Sequence, residues 1–186
     1  MDDKRRCGWC ESSELYKKYH DEEWGKPVYD DATLFEFLLL ETFQAGLSWY
    51  TILVKRESFK KAFDGFDYKK IALYNQNKID ALMQDTGIIR NTLKVKSAIS
   101  NAQAFMKIQE EFGSFSDYFW AFTNGKPIIN NFERLSDVPA TTPLSDKISK
   151  DMKKRGFKFI GSTTLYAHMQ ATGMVNDHIL SCWTRN

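Results

Sequence analysis

The chain has 186 residues and a mass of 21.6 kDa, and a chain of that length buries roughly 70% of its unfolded surface, so one hydrophobic core suffices without disulfide staples. A composition of 42% hydrophobic and 27% charged residues excludes intrinsic disorder; no apolar run is long enough for a membrane-crossing helix, and the opening Met-Asp-Asp-Lys-Arg-Arg has no apolar stretch behind it, as a secretory signal would, so a cytoplasmic protein with no membrane partner is expected. The net charge of +2 is too small to announce a polyanionic partner by itself, and three Cys, an odd number in a reducing compartment, point to metal binding or plain burial rather than to a disulfide framework.

Strand-like alternation is nearly absent, and apolar residues recur at helical spacing. In chain order the pattern predicts helices over 32–47 (Asp31 as N-cap), 48–63, 77–84, 90–112, 114–123, 146–155, 162–172 and 176–183, with one weak strand at 126–130. Gly87, Gly113, Gly125, Gly156, Gly161 and Gly173 fall between these segments, as C-cap and turn residues do. There is no internal repeat, low-complexity segment or linker. The expected fold is all-α, a compact bundle of short helices forming one domain over 1–186.

Within the helix at 32–47, Leu34, Phe37, Leu38, Leu39, Leu40, Phe43 and Leu47 cover nearly the whole circumference, which marks a helix buried on all sides. Glu41 projects between Phe37 and Leu34, where a charge is most costly. A carboxylate there is paired, protonated or facing a cavity. Aromatic residues make up 15% of the chain, more than a core of this size needs, so some are expected to line a site.

His178 and Cys182 stand at i, i+4 spacing, on one face of the helix predicted from Asn176. Near the other end Cys7 precedes His20, with Cys10 as a competing thiol. Two Cys and two His can close a tetrahedral Zn2+ site that leaves no position for water. Such a site would pin the two ends of the chain together across about 160 residues, closing a long loop in the unfolded state. The alternative is a small buried Cys182 beside a hydrogen-bonded core His178. His168 has no partner at helical spacing and reads as a core residue. Cys7-Gly8-Trp9-Cys10 lacks the preceding strand of a thioredoxin-like redox pair, and the signature of the zinc deaminases is missing.

From Lys147 to Lys158 six basic residues accompany a single acid, Asp151. The run from Lys153 to Thr164, with Gly156 and Gly161, opens the helix at 162. A Gly-containing turn at that place offers backbone N–H groups at the positive end of a helix dipole and suits a phosphate, with Lys158 adding a point charge. An ordinary helix–turn–helix corner with a solvated basic face is the alternative.

Taken together, Cys7-Gly8-Trp9, Tyr19-His20-Asp21-Glu22-Glu23-Trp24-Gly25, Gln44-Ala45-Gly46-Leu47-Ser48-Trp49, Gly87-Ile88-Ile89-Arg90, Lys154-Arg155-Gly156-Phe157-Lys158-Phe159 and Met174-Val175-Asn176-Asp177-His178 resemble, in the same order and over almost the whole chain, the constitutive bacterial 3-methyladenine DNA glycosylases. The resemblance implies a two-lobed member of the helix-hairpin-helix superfamily, with the helix-hairpin-helix element at 146–172 and DNA in the cleft. It also implies a structural Zn2+ on Cys7, His20, His178 and Cys182, which leaves Cys10 without a role. The implied reaction is hydrolysis of the N-glycosidic bond of 3-methyladenine in alkylated double-stranded DNA, by a monomer that releases free 3-methyladenine.

On this likeness Trp49 stacks on the flipped cationic base, and Trp9 and Trp24 are further aromatic candidates, core packing being the alternative for both. Glu41 and Tyr19 supply the polar contacts and carry the catalytic role. Leu47 is the wedge into the vacated stack, and Lys158, Phe159, Gly161 and Ser162 form the phosphate clamp. Two departures stand out. Phe159-Ile160-Gly161 keeps only the second Gly of the Gly-Val-Gly found in common superfamily hairpins. Val175-Asn176-Asp177-His178 places an amide where many members carry a catalytic Asp. Neither Asn176 nor Asp177 is expected to activate the nucleophile, and with no Lys placed for a Schiff base a monofunctional glycosylase is expected.

Overall fold

In the computed structural model, which describes residues 4–185, the chain runs through α1 (Glu14–Glu22), α2 (Asp31–Gln44), α3 (Trp49–Ala62), α4 (Tyr68–Ile71), α5 (Gln76–Gln84), α6 (Thr92–Phe112), α7 (Phe115–Ala121), β1 (Ile128–Ile129), α8 (Pro143–Lys154), α9 (Ser162–Ala171) and β2 (Val175–Asn176). The fold is mainly helical, as the periodicity predicts. Side chains of Ser13, Asp30, Ser48, Asn75, Asn91, Ser114 and Thr142 accept from backbone N–H groups in the first turns of α1, α2, α3, α5, α6, α7 and α8, and these caps decide where the helices begin. For α2 the cap is Asp30, not Asp31. Asp31 instead reaches across to α7, accepting from Phe115 N at 2.9 Å and Ser116 N at 2.8 Å, a negative charge at the positive end of that helix.

α2 is the axis of the fold, buried on every side from Leu34 to Phe43 and packed by α3, α6, α7 and α9. Its C-terminal end comes at Gln44 rather than Leu47, because Gly46 takes φ +84° and turns the chain toward α3. Most of the Phe content goes into the core around α2, in ring stacks such as Phe105–Phe115 at 4.2 Å. Tyr19, Trp9, Trp24 and Trp49 gather apart from it, around Phe37, Leu53 and Ala171. Trp49 packs against both groups and joins the aromatic site to the core.

The predicted helix at 176–183 is not formed. β2 pairs in parallel with β1, in the register Ile128 with Val175 and Ile129 with Asn176, and Leu180 N donates to Phe132 O at 2.9 Å. Hydrogen bonds to the 128–132 segment satisfy this stretch, and tertiary pairing overrides the local helical spacing. The C-terminal segment then meets the N-terminal one, with Trp183 N donating to Arg5 O at 2.9 Å. A further helix, α1, appears where the sequence pattern showed none.

His168 on α9 is fully buried against Phe119, and neither ring nitrogen has a hydrogen-bond partner among the described residues. Burial lowers its pKa to about 3, so the ring is neutral in the fold while the unfolded chain takes up a proton below about 6.5. Stability is therefore lost as pH falls from about 6.5 toward 3. His168→Leu is expected to raise the Tm and to flatten this acid limb in thermal melts; an unchanged acid slope would contradict it.

Candidate active site

A cavity of about 710 Å³ opens between the N-terminal helices and α9. One wall is aromatic: Trp9, Tyr16 and Tyr19 on and before α1, Trp24 after it, and Trp49 at the start of α3. The Trp9 and Trp24 rings meet edge to face at 5.1 Å, Trp9 and Tyr16 at 4.9 Å, and Tyr19 lies 5.5 Å from Trp49. Ser48 sets this geometry locally by capping α3, which fixes Trp49 as its first helical residue. Thr163, Thr164, Ala167 and Gln170 of α9 form the opposite side.

Glu41 enters this cavity from α2. It is 3% exposed, and no hydrogen bond or ion pair to its carboxylate is found among the described residues. Burial alone pushes its carboxyl up to about 8. Tyr19, 2% exposed, is held well above the ordinary tyrosine range by burial first and by Glu41 second. An acid without a counter-ion, beside π faces, suits a flat ligand carrying positive charge.

Of the sequence-predicted site residues, Glu41, Tyr19, Trp49, Trp9 and Trp24 come together here. Leu47 is 37% exposed, in the turn between α2 and α3 at the cavity edge. Sequence reasoning missed Tyr16. Its signal was the i, i+3 pair Tyr16 and Tyr19 behind a Ser13 cap, legible once α1 is recognised as a helix. It also passed over the place of Asp177, which lines the cavity. Asp177 stands in extended chain beside Asn176, not on a helix. Its carboxylate accepts from Asn130 Nδ2 at 2.7 Å, Tyr166 OH at 2.7 Å and Gln170 Nε2 at 2.8 Å.

Behind the aromatic wall lies a second cluster. One ligand atom each of Cys7, His20, His178 and Cys182 lies within 4.8 Å of the others, and all four residues are buried. The i, i+4 helical spacing does not bring His178 and Cys182 together; the turn after β2 does. The Cys7 Sγ and Cys182 Sγ atoms sit 3.6 and 3.5 Å from His178 Nδ1, and Cys182 Sγ is 3.4 Å from His20 Nε2. The other ring nitrogens are also engaged: His20 Nδ1 is 2.8 Å from Asp21 Oδ1, and His178 Nε2 is 3.1 Å from Trp24 O. Asp21 is itself clamped by Arg6 at 2.8 Å. Such a set, with each ring oriented by an outer acceptor, could hold a metal ion. Gly25 leaves room for it: at φ +77°, a Cβ there would lie 2.9 Å from His178 Nε2. Cys10 stays outside the set, its thiol donating to Cys7 O at 3.2 Å.

The run at 155–161 joins α8 to α9. Phe157 and Ile160 are buried, while Lys158 and Phe159 face outward. Phe159 occupies the left-handed region at φ +55°, a conformation that Gly adopts without strain and Phe does not. Gly161, the N-cap of α9, contributes no side-chain cap. A basic depression of about 460 Å³ beside it is lined by Asp146, Ser149, Lys150, Lys153, Lys154 and Ser162.

A family model described as methyladenine glycosylase matches residues 9–186. The chain is 49% identical over 177 residues to the DNA-3-methyladenine glycosylase of Haemophilus influenzae, covering 95% of this chain and 96% of that protein. It is 45% identical over 177 residues to DNA-3-methyladenine glycosylase 1 of Escherichia coli, with 95% of each covered. A solved structure that describes 3-methyladenine recognition by 3-methyladenine DNA glycosylase I from Staphylococcus aureus superposes with a TM-score of 0.94 at 36% identity, covering 97% of this chain and 96% of that one.

Replacing Glu41 by Gln relieves the burial cost. Because the folded carboxyl titrates near 8 and the unfolded one near 4.5, the wild type loses stability as pH rises through this window. Glu41→Gln is expected to raise the Tm more at pH 9 than at pH 5, by the equivalent of a few kcal/mol at the higher pH. An equal gain at both values in thermal melts would show that the carboxylate is solvated.

Proposed function

The chain belongs to the methyladenine glycosylase family, and from that premise we propose that its aromatic cavity takes a 3-methyladenine flipped out of alkylated DNA. The enzyme is a base-excision repair glycosylase that hydrolyses the N-glycosidic bond of that base. One observation carries the assignment of the site: Glu41 is an unpaired acid in a cavity walled by indoles and phenols.

Methylation at N3 gives the adenine ring a positive charge while it is still joined to the sugar. At pH 7 an empty cavity holds Glu41 protonated, since it titrates near 8, and ionising it costs about 1.4 kcal/mol per pH unit below that value. A cation about 4 Å away returns about 4 kcal/mol at an effective dielectric constant of 20, and each aromatic face adds about 0.5–2 kcal/mol. The cation therefore charges its own acceptor. A neutral adenine does not, so Glu41 stays protonated and the normal base gains neither term. Glu41 accepts the exocyclic amine, Trp49 stacks on the ring, Tyr19 supplies a second polar contact, and Trp9 and Trp24 complete the enclosure. Rate comes from holding a base that is already a good leaving group, not from Asn176 or Asp177.

The chain is one glycosylase domain in which α8, the turn at 155–161 and α9 form the helix-hairpin-helix element. Lys158, Phe159, Gly161 and Ser162 grip the phosphate backbone with the free start of α9, and Leu47 fills the gap left by the flipped base. The Cys/His cluster holds a structural Zn2+. Zn–S and Zn–N bonds of about 2.3 and 2.0–2.1 Å in a tetrahedral site would give S···N edges of roughly 3.6 Å, and three of the four such separations are 3.6, 3.5 and 3.4 Å. With four protein ligands the ion would have no position for water, so it would stabilise the fold and take no part in the hydrolysis.

Release of free 3-methyladenine from N3-methylated duplex DNA tests the assignment, and no release by the metal-replete protein would overturn it. Trp49→Ala is expected to lower kcat/KM at least tenfold with the fold intact by circular dichroism. For the wild type kcat/KM is expected to rise with pH through about 8, as the ionised Glu41 becomes populated; Glu41→Gln should lose both most of the activity and this pH dependence. Cys182→Ala is expected to lower the zinc content measured by atomic absorption and to cost several degrees of Tm. A zinc-free variant of equal stability would remove the structural zinc.

A further inference from the structure

Two of the loops assigned to DNA, the turn at Ala45–Ser48 and the hairpin at Phe157–Ser162, are gripped by the same face of one helix. Lys94 of α6 is buried, at 6% exposure, and no carboxylate pairs with it among the described residues. Its ammonium group donates to Phe43 O at 2.9 Å and Ala45 O at 2.6 Å, the carbonyls that α2 leaves without helical partners at its C-terminal end. The positive charge sits at the negative end of the α2 dipole. The turn is closed from its own side as well, since Leu47 N donates to Gln44 O at 2.7 Å. Leu47 is thereby presented outward from a turn whose base is held by a buried cation.

Seven residues on, Asn101 is 2% exposed. Its Oδ1 accepts from Lys158 N at 2.7 Å and its Nδ2 donates to Lys158 O at 3.1 Å. Both main-chain groups of the residue before the strained Phe159 are thus held. Seven residues are about two helical turns, so Lys94 and Asn101 share a face and stand about 10.5 Å apart along the axis. On the neighbouring face of α6 lies a groove of about 510 Å³ lined by Leu93, Lys96, Ser97, Ser100, Lys158 and Phe159, in which two Lys and two Ser stand among a largely apolar lining.

We propose that α6 is the spacer that fixes the wedge turn relative to the phosphate hairpin, with Lys94 and Asn101 as positioning residues that grip the main chain of each loop. The proposal rests on the wedge and hairpin readings given above. Neither residue touches the base. Lys94 acts through Leu47, and Asn101 acts through Lys158 and Phe159. An amide would satisfy the α2 carbonyls at less desolvation cost than a buried ammonium; the charged donor instead makes the stronger hold.

The test is a double-mutant cycle on excision from N3-methylated duplex, with affinity for free 3-methyladenine measured in parallel. Lys94→Met is expected to lower kcat on duplex at least tenfold while leaving free-base affinity within twofold. Combined with Leu47→Ala it should be no worse than Leu47→Ala alone, because both remove the same wedge. Asn101→Ala is expected to raise KM for duplex at least fivefold with kcat and free-base affinity nearly unchanged. Additive losses in the cycle, a parallel loss of free-base binding, or full duplex activity of Lys94→Met would overturn the proposal. A fully active Leu47→Ala would overturn it through the wedge itself, without touching the glycosylase assignment, which the wild-type release assay decides. If Lys94→Met does not fold, Lys94→Leu enters the same cycle under the same criteria, since it likewise removes every donor to Phe43 O and Ala45 O.

Discussion

The constraint on which the rest depends is a carboxylic acid kept out of water without a counter-ion. Glu41 lies three residues before the end of a helix whose stretch from Leu34 to Phe43 is apolar apart from it, Glu36 and Thr42, and burial pushes its carboxyl up. A fold selected for stability alone would place a Leu there. The chain tolerates the acid because α2 is packed on all sides by other helices, so that the cavity stays open on a rigid frame. Local destabilisation of this kind is the usual mark of a functional position.

The Cys/His cluster and the cavity are one construction rather than two. Trp24 stands 4.6 Å from the His178 ring and Trp9 stands 5.3 Å from the His20 ring, both edge to face, and the same two indoles line the cavity. Trp24 O is also the acceptor for His178 Nε2. Whatever holds the imidazoles in place therefore holds the aromatic wall. The N-terminal and C-terminal segments, which fray in most domains, are here joined through this cluster, and the first aromatic residue of the site comes from a short 3-10 turn (Gly8–Cys10) that has no helix of its own to steady it.

Much of this was legible in the sequence, for physical reasons that differ by residue. Glu41 could be found because helical geometry alone places it in the middle of an apolar circumference. The turn between α8 and α9 could be found because Gly156 and Gly161 bracket it directly after a basic run. His178 and Cys182 were correctly grouped, but for a wrong reason. Their spacing of four suggests a helix, whereas the backbone there is committed to β1 and to Phe132, partners remote in sequence that no local pattern reveals. Tyr16 escaped notice because α1 has a strongly polar face and few apolar residues to announce it. Lys94 gave no signal at all: a Lys in an amphipathic helix reads as solvated, and only the packing of α6 against the end of α2 shows that its ammonium group is buried.

The same contrast bears on the chemistry. Asp177 follows Asn176, the position at which the resemblance implies a catalytic acid in many superfamily members, and it does line the cavity. Yet three donors hold it, from Asn130, Tyr166 and Gln170. A general base needs a free lone pair directed at water, and these bonds instead make Asp177 a brace between α9 and the strand pair. Glu41 has no such bonds and is therefore the acid able to respond to charge in the cavity. An enzyme whose substrate arrives already cationic needs little proton transfer to the leaving base; what it needs is a site whose own protonation state reports that charge. The two acids thus differ in their hydrogen bonds, three on Asp177 and none on Glu41 among the described residues, and the proposal of Glu41 as the recognising acid rests on that difference.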